Sequence, residues 1–206
     1  MGKVTTSLTM SLDGFIAGPN DGPEHPLGEG GMRLFDWYNA GDTEFVMPSG
    51  AITANVSAAS AAMMRESYAQ VGALVSGRKT FDITGGWGGR HTVDVPVFVV
   101  THEVPQDWIA RHPDAPFTFV TDGVASAVAQ AQAVAGDKDV AVAAASLVQQ
   151  CLKTGLLDEF QVDVVPVLLG AGVRLFENFG GAPIELERIA VIEGEGVTHL
   201  RFRVVK

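Results

Sequence analysis

The chain has 206 residues, 47% hydrophobic and only 18% charged, which excludes a disordered chain and suits one complete hydrophobic core. Its formal net charge is −10 and no run of Lys or Arg interrupts that acidity, so a nucleic-acid partner is not expected. Cys151 is the only cysteine, no basic and apolar leader opens the chain, and no apolar run approaches the ~18 residues of a membrane span, so the expectation is a soluble, cytoplasmic single domain over residues 1–206.

Val4 to Leu12 mixes β-branched and hydroxyl residues and runs into Asp13-Gly14, the pattern of a strand ending in a turn. Residues 18–55 break the regular pattern. Three prolines and several glycines lie between Gly18 and Gly31, so an irregular loop insertion is expected there, with a short helix over Met32 to Tyr38. Ser57 is placed to cap a helix running to about Val71, with Gly72 as its stop, followed by an apolar strand from Ala73 to Ser76. A new helix should start at Gly77.

Pro96 opens the strongest strand, Val97 to Val100, and Phe117 to Thr121 is another that hands over to Asp122 as a helix cap. The helix after it carries Val124, Ala127, Val128, Ala131 and Val134 on one stripe. Val140 to Val142 then precedes a helix presenting Ala144, Leu147, Val148, Cys151 and Leu152 before Gly155. Three alternations of strand and helix imply an α/β fold with a mostly parallel sheet flanked by helices. The last part differs: Phe160 to Val165, Ile184 to Glu193 and Thr198 to Val205 read as strands, and Gly194-Glu195-Gly196 makes the final pair an antiparallel hairpin.

Several chemistries are absent from the sequence. It has no phosphate loop of the G-x-x-x-x-G-K-[ST] type, no G-x-S-x-G elbow and no H-E-x-x-H. His25, His91, His102, His112 and His199 show no ligand spacing with one another or with Cys151, so no metal site is expected. None of the four G-x-G occurrences continues into a Rossmann fingerprint.

What remains is a set of strand-to-helix junctions. Gly77-Arg78-Lys79-Thr80-Phe81 follows an apolar strand and opens a helix, where backbone N–H groups and two cations suit a phosphate, although a solvated basic turn reads equally well. Val97 to Val100 ends in the polar pair Thr101-His102, and Val142 runs into Ala143-Ala144-Ala145-Ser146. In a parallel sheet such ends lie side by side and face one crevice, which makes a dinucleotide groove plausible.

Taken in order, SLDGFIAG (ending at Gly18), GRKTF (77–81), VFVVTH (97–102), the small residues 143–146 and GLLDEFQVDVVPVLLGAG (155–172) resemble the dihydrofolate reductase superfamily. Within it the chain is most similar to the reductase domain of bacterial riboflavin biosynthesis and its stand-alone relatives. The resemblance implies a dihydrofolate-reductase-like fold, NADPH as cofactor and a homodimer. It further implies that Ile16 and Ala17 flank the nicotinamide and that Gly77, Arg78, Lys79 and Thr80 hold the phosphate region. Thr101 and His102 would meet the adenosine 2′-phosphate, and Ala143, Ala144, Ala145, Ser146 and Leu147 the pyrophosphate.

Two departures stand out. Ala143-Ala144 replaces a pair of glycines that lets the backbone approach the cofactor closely. The carboxylate that protonates the substrate in dihydrofolate reductases has no clear counterpart: Asp36, Asp42, Glu44 and Glu66 lie in the right stretch and nothing singles one out, so Asp13, at a strand end, is the candidate catalytic group, with an Asp-Gly turn role as its alternative. Trp37 and Trp87 are candidate flat walls for a heteroaromatic substrate, or packing residues. The expected activity is hydride transfer to a C=N or C=O bond of a small heterocyclic or carbonyl substrate, of pterin or aminouracil-ribose type, with residues 18–55 as a substrate-side lid. The alternative is a non-catalytic nucleotide-binding protein on the same fold.

Overall fold

A computed structural model describes residues 2–177, 179–181 and 183–206. Its centre is an α/β sheet of eight strands among the described residues. In chain order the elements are β1 (Val4–Ser11), β2 (Phe15–Ala17), a 3-10 helix (Gly31–Asn39), β3 (Thr43–Val46), β4 (Thr53–Val56), α1 (Ala58–Gln70), β5 (Val71–Gly77) and α2 (Arg78–Ile83). A second 3-10 turn (Gly85–Gly89), β6 (Val97–Val100), α3 (Gln106–Arg111), β7 (Phe117–Val120), α4 (Val124–Ala135), β8 (Asp139–Ala143) and α5 (Ala145–Lys153) follow. The chain ends with β9 (Glu159–Val165), β10 (Val173–Arg174), β11 (Leu186–Gly194) and β12 (Val197–Val204).

The sheet order is β11-β12-β9-β1-β8-β5-β6-β7. The six strands from β9 to β7 are parallel, and the hairpin β11–β12 adds antiparallel to β9. Alternation along the strands sorts their side chains onto two faces. One face sends Ala73, Val75, Val140, Val142, Phe160 and Val162 into the main core beneath α4 and α5, where Ala127, Val128, Leu147, Val148 and Cys151 meet them. Full burial of a Val or Leu side chain contributes about 1.5–3 kcal/mol, so this layer carries much of the stability.

The opposite face carries two separate cores. Trp108, Phe81, Leu74, Val97 and Val99 pack together at the β5–β6 end, while Val165 and Val197 pack with Met63, Met64, Trp37 and Phe45 at the other. Between these clusters the sheet is thinly covered. Ser7, in a strand with neighbours on both sides, is exposed, and Thr5, Ala141 and Ala143 are half-buried.

Several expectations need correction. Residues 18–55 are not one irregular loop: the short helix is present as the 3-10 segment, and Thr43–Val46 pairs with Thr53–Val56 in an antiparallel hairpin. Each strand of that hairpin has four residues, too few for alternation to stand out. Leu34, Trp37, Phe45 and Val56 are buried in its core, so most of this region cannot move as a lid. Gly72 lies inside β5 at a register shift rather than ending α1. The residue before α4 is Gly123 and not Asp122, and Val134 at the end of the predicted stripe is exposed. Helix α3 was not anticipated, since its six residues are too few for a helical period.

The strand ends are joined by backbone. β2 pairs antiparallel with β10, and Gly172 approaches so closely that an added Cβ would lie 2.0 Å from the Ala17 carbonyl oxygen, at a φ of +135°. Gly172→Ala should therefore lower stability by about 1–3 kcal/mol, measured by urea denaturation. An unchanged midpoint would show that this crossing is not a structural joint.

Candidate active site

The ladder between β1 and β8 covers Val4↔Val140 and Thr5↔Ala141, whereas β1 pairs with β9 from Thr5 to Ser11. The two central strands therefore part toward their carboxyl ends, and the exposed Ser7 sits in the gap. Thr6 keeps the strands joined just below, where its hydroxyl donates to the Val142 carbonyl at 2.7 Å. In open α/β sheets a crevice at strand carboxyl ends is where ligands bind.

On one lip, Gly77 ends β5 and Ala143-Ala144 ends β8, and a Cβ at Gly77 would sit 3.5 Å from that of Ala144, in ordinary contact. Ala144 has φ +133° and ψ 134°, a conformation that suits glycine, so the alanine is held there under strain. It is the residue before α5, whose first turn contains Ala145, Ser146 and Leu147. Ala145 and Leu147 are buried and Ser146 is exposed. One residue before Gly77, the Ser76 hydroxyl is buried with no hydrogen-bond partner. An orphaned hydroxyl beside two strand-to-helix junctions fits a polar ligand group.

Arg78 is already engaged. Its Nε donates to Asp82 Oδ1 at 2.8 Å, and Nη1 donates to Thr101 Oγ1 at 3.1 Å and to the Glu103 carbonyl at 2.6 Å. None of these three bonds uses Nη2, which leaves that side of the fork for an anion. Lys79 pairs with Asp21 at 2.7 Å, joining α2 to the loop after β2, while Thr80 is half-buried on the same helix. Thr101 is buried and its hydroxyl also donates to the Glu103 carbonyl, so it shapes the turn after β6. His102 beside it is exposed. Arg78 and Thr101 are thus in contact across the ends of β5 and β6, and His102 follows Thr101 in the chain.

The other lip is built around Asp13. Its carboxylate accepts from Ser11 Oγ at 2.6 Å, from the Leu169 amide at 3.1 Å and from the Gly170 amide at 2.7 Å. These donors, with Ser11 the largest contributor, hold its pKa at about 2 against an ordinary 3.8. A carboxylate so held is an acceptor clamp that ties the end of β1 to the segment after β9. Arg174 lies over the Phe15 ring, 4.3 Å from its centroid, and donates to the Asp13 carbonyl. The same clamp places Ile16, half-buried, and Ala17, buried, on β2.

Trp37 and Trp87 both make packing contacts, and burial removes Trp37 as a wall of this crevice. Trp37 is 2% exposed and packs edge-on against His199, with ring centroids 5.3 Å apart. Trp87 packs against His91 and Phe117 in the cluster beneath α2 and α3. Among the described residues no group of His, Cys, Asp and Glu is arranged to hold a metal. Among the described residues no helix is long and apolar enough to cross a membrane.

One group of residues escaped sequence reasoning. Asp163 Oδ1 lies 2.6 Å from His199 Nδ1, and His199 Nε2 lies 2.8 Å from Ser60 Oγ. The three come from β9, β12 and α1 and are all buried. The only sequence signal is a set of polar residues inside apolar strands, and their meeting depends on sheet register.

A mostly parallel sheet of this order, parted beside its first strand and completed by an antiparallel hairpin, is the dihydrofolate-reductase-like fold. The chain superposes on the Enterococcus faecalis dihydrofolate reductase complexed with NADP(H) with a TM-score of 0.54, at 12% identity over 100% of this chain and 98% of that one. A Shewanella sp. PV-4 protein described as a candidate riboflavin biosynthesis protein matches with a TM-score of 0.69 and 21% identity over 100% of both chains. Acinetobacter baumannii RibD matches with a TM-score of 0.62 and 15% identity, over 100% of this chain and 59% of that one. The uncharacterized protein YyaP of Bacillus subtilis (strain 168) is 23% identical over 180 residues, 84% of this chain and 80% of that protein. The model of the RibD C-terminal domain matches residues 2–195, and the chain belongs to that family.

Two measurements test this geometry. Because the folded pKa of Asp13 is depressed, its stabilising contribution is complete above the unfolded value of 3.8 and is lost as pH falls toward about 2. Asp13→Asn should therefore flatten the melting temperature across that window, and a wild-type slope retained in the mutant would refute the clamp. Ala144→Gly should raise stability by roughly 0.5–2 kcal/mol, since relief of the strained φ outweighs the added unfolded-state entropy of glycine. A lower melting temperature for Ala144→Gly would show that the backbone has adapted to alanine.

Proposed function

We propose that this protein is an NADPH-dependent reductase that transfers a hydride to a C=N or C=O bond of a small heterocyclic or carbonyl substrate, of pterin or aminouracil-ribose type. The observation that carries the reading is the parting of β1 from β8, which leaves Ser7 exposed in the middle of the sheet beside the junctions at Gly77 and Ala144. Membership of the RibD C-terminal domain family and the fold shared with dihydrofolate reductase support it.

When bound, NADPH supplies the hydride. The amides of Ala145 and Ser146 at the start of α5, with the residues from Gly77 to Thr80, would hold its phosphates, and Arg78, Thr101 and His102 its adenosine end. Ile16 and Ala17 would close over the nicotinamide from β2, and the substrate would lie over Thr5 and Ser7 on the sheet face. Asp13 then serves to fix the turn that leads into β2, which carries Ile16. In this reading Trp37 and Trp87 are packing residues.

We place the protein in the cytoplasm as a homodimer. β11 is a sheet edge over nine residues, and its exposed Leu186, Ile189 and Val191 suit a second copy. Light scattering at micromolar concentration should give twice the chain mass, and a monomer mass would remove the dimer.

Nicotinamide fluorescence measures cofactor binding directly. NADPH should bind, and a panel of pterins, aminouracils and carbonyl compounds should include one that oxidises it. No binding at hundreds of micromolar sinks the reductase, and binding without oxidation favours a non-catalytic nucleotide-binding protein. Arg78→Ala should weaken NADPH by roughly tenfold or more, because a charge-assisted hydrogen bond contributes ~1.5–3 kcal/mol, and should leave NADH nearly unchanged. Equal losses for both cofactors would assign Arg78 to the pyrophosphate or to the fold.

A further inference from the structure

Reduction of a C=N or C=O bond needs a proton as well as a hydride, and Asp13, ionised and saturated with donors, is unsuited to give one. A different chain of polar groups crosses the same sheet face. Its order follows from the strands: Gly194 on β11, His199 on β12, Asp163 on β9, and then β1, where Thr9 is the register partner of Asp163. Ser7, exposed in the crevice, is two residues before Thr9 on the same face of β1, so it lies one diagonal step from Asp163, within reach of one bound small molecule.

The hydrogen bonds along this line have one direction. With the Asp163 proton placed on Oδ2, Oδ1 accepts from His199 Nδ1–H across the 2.6 Å contact, and Nε2 accepts from the Ser60 hydroxyl at 2.8 Å. Ser60 Oγ in turn lies 3.0 Å from Ser57 Oγ, which accepts the Ser60 amide and so turns its own proton toward Ser60. Ser57 is half-buried and gives the line an outer end. Gln161 donates to Asp163 Oδ1 at 2.8 Å, so Oδ1 serves both donors and Oδ2 stands outside both bonds. The Asp163 side chain keeps 9% of its surface open and that of His199 none, as expected if the carboxylate is the inner terminus. Gly194 leaves the room: a Cβ there would lie 2.4 Å from Ser60 Oγ and 3.2 Å from His199 Nε2.

Other groups around Asp163 do not compete for the proton. Tyr38 from the 3-10 helix and Tyr68 from α1 face it, and burial raises both phenols, Tyr68 to about 12, so they stay protonated. Trp37 packs on the His199 ring with its Nε1 buried and unpartnered.

Resting on the reductase reading, we infer that Asp163 is the proton donor of the substrate crevice and that Ser57, Ser60 and His199 form the relay that recharges it from solvent. The proton on Asp163 Oδ2 would pass to the oxygen or nitrogen of the bond whose carbon takes the hydride, leaving Asp163 as the carboxylate. His199 then gives its Nδ1 proton to Asp163 and takes one at Nε2 from Ser60, which is refilled through Ser57 from water. Asp163 is the catalytic residue in this scheme, and the other three are positioning residues that act through it.

The test has an arm that needs neither cofactor nor substrate. If the relay conducts, the His199 ring proton exchanges with water although the ring is fully buried, and Ser60→Ala slows that exchange by about tenfold or more, read by saturation transfer from water in NMR. Ser57→Ala cuts the chain one hydroxyl further out and replaces Ser60→Ala if that variant does not fold. Unchanged exchange in the variant overturns the relay whether or not NADPH binds. The second arm uses Asp163→Asn, which should leave the NADPH dissociation constant within about twofold and lower single-turnover hydride transfer to the active panel compound by roughly 10²–10⁴-fold. Ser60→Ala should leave that first turnover intact and slow later ones, with a raised solvent isotope effect. Full transfer by Asp163→Asn removes the proton donor. Absence of NADPH binding in the wild type removes the reductase reading and leaves the exchange result to decide the relay.

Discussion

Everything proposed for the crevice depends on β1 being unable to pair with both of its neighbours along its whole length. Its ladder with β9 runs to Ser11, and the chain beyond stays bound to the same side through Leu12 to the Val167 carbonyl and Asp13 to Leu169 and Gly170. Those bonds draw the end of β1 toward β9 and away from β8. On the other lip the left-handed Ala144 turns the chain from β8 into α5. The gap is therefore a consequence of backbone commitments on either side, and ligand binding need not open the sheet.

Electrostatics within the gap run against the global charge. The chain is strongly acidic, yet Arg78 and Lys79 stand at the β5 junction where an anion would lie. Both carry resident carboxylate partners, Asp82 and Asp21. These exposed ion pairs are weak, so an incoming phosphate can share or displace them at little cost. The resident carboxylates also keep two cations ordered before any ligand arrives, which reduces the side-chain entropy lost on binding.

Much of the parallel half of the sheet was legible because β5, β6 and β7 are short apolar runs with a glycine or proline at an edge, alternating with helices that carry an apolar stripe. Ser57 capped α1 as its sequence position suggested, while Gly72 looked like a helix stop and is a strand residue. The hairpin Thr43–Val46 with Thr53–Val56 was invisible because its core role depends on Met63, Met64 and Val197, far away in sequence. In the site, Gly77 with Arg78 and Thr101 with His102 stood out since adjacent residues form each pair. Trp37 looked like an exposed wall because a single sequence does not reveal which face of a short helix is buried.

The contrast between Asp13 and Asp163 shows why sequence favoured the less suitable carboxylate. Asp13 sits in an Asp-Gly turn at a strand end, a position that sequence marks clearly, and the same turn geometry surrounds it with donors that fix it as an anion. Asp163 sits inside an apolar strand, where sequence offers only an out-of-place charge. Its partners lie 36 and 103 residues away, at His199 and Ser60, and only the antiparallel register of β12 on β9 with α1 packed above brings them together. A buried carboxylate carries a desolvation penalty that a structural role alone could avoid with an apolar residue. Here that penalty is offset by a hydrogen-bonded imidazole and two serines leading outward, an arrangement suited to moving a proton between solvent and the crevice.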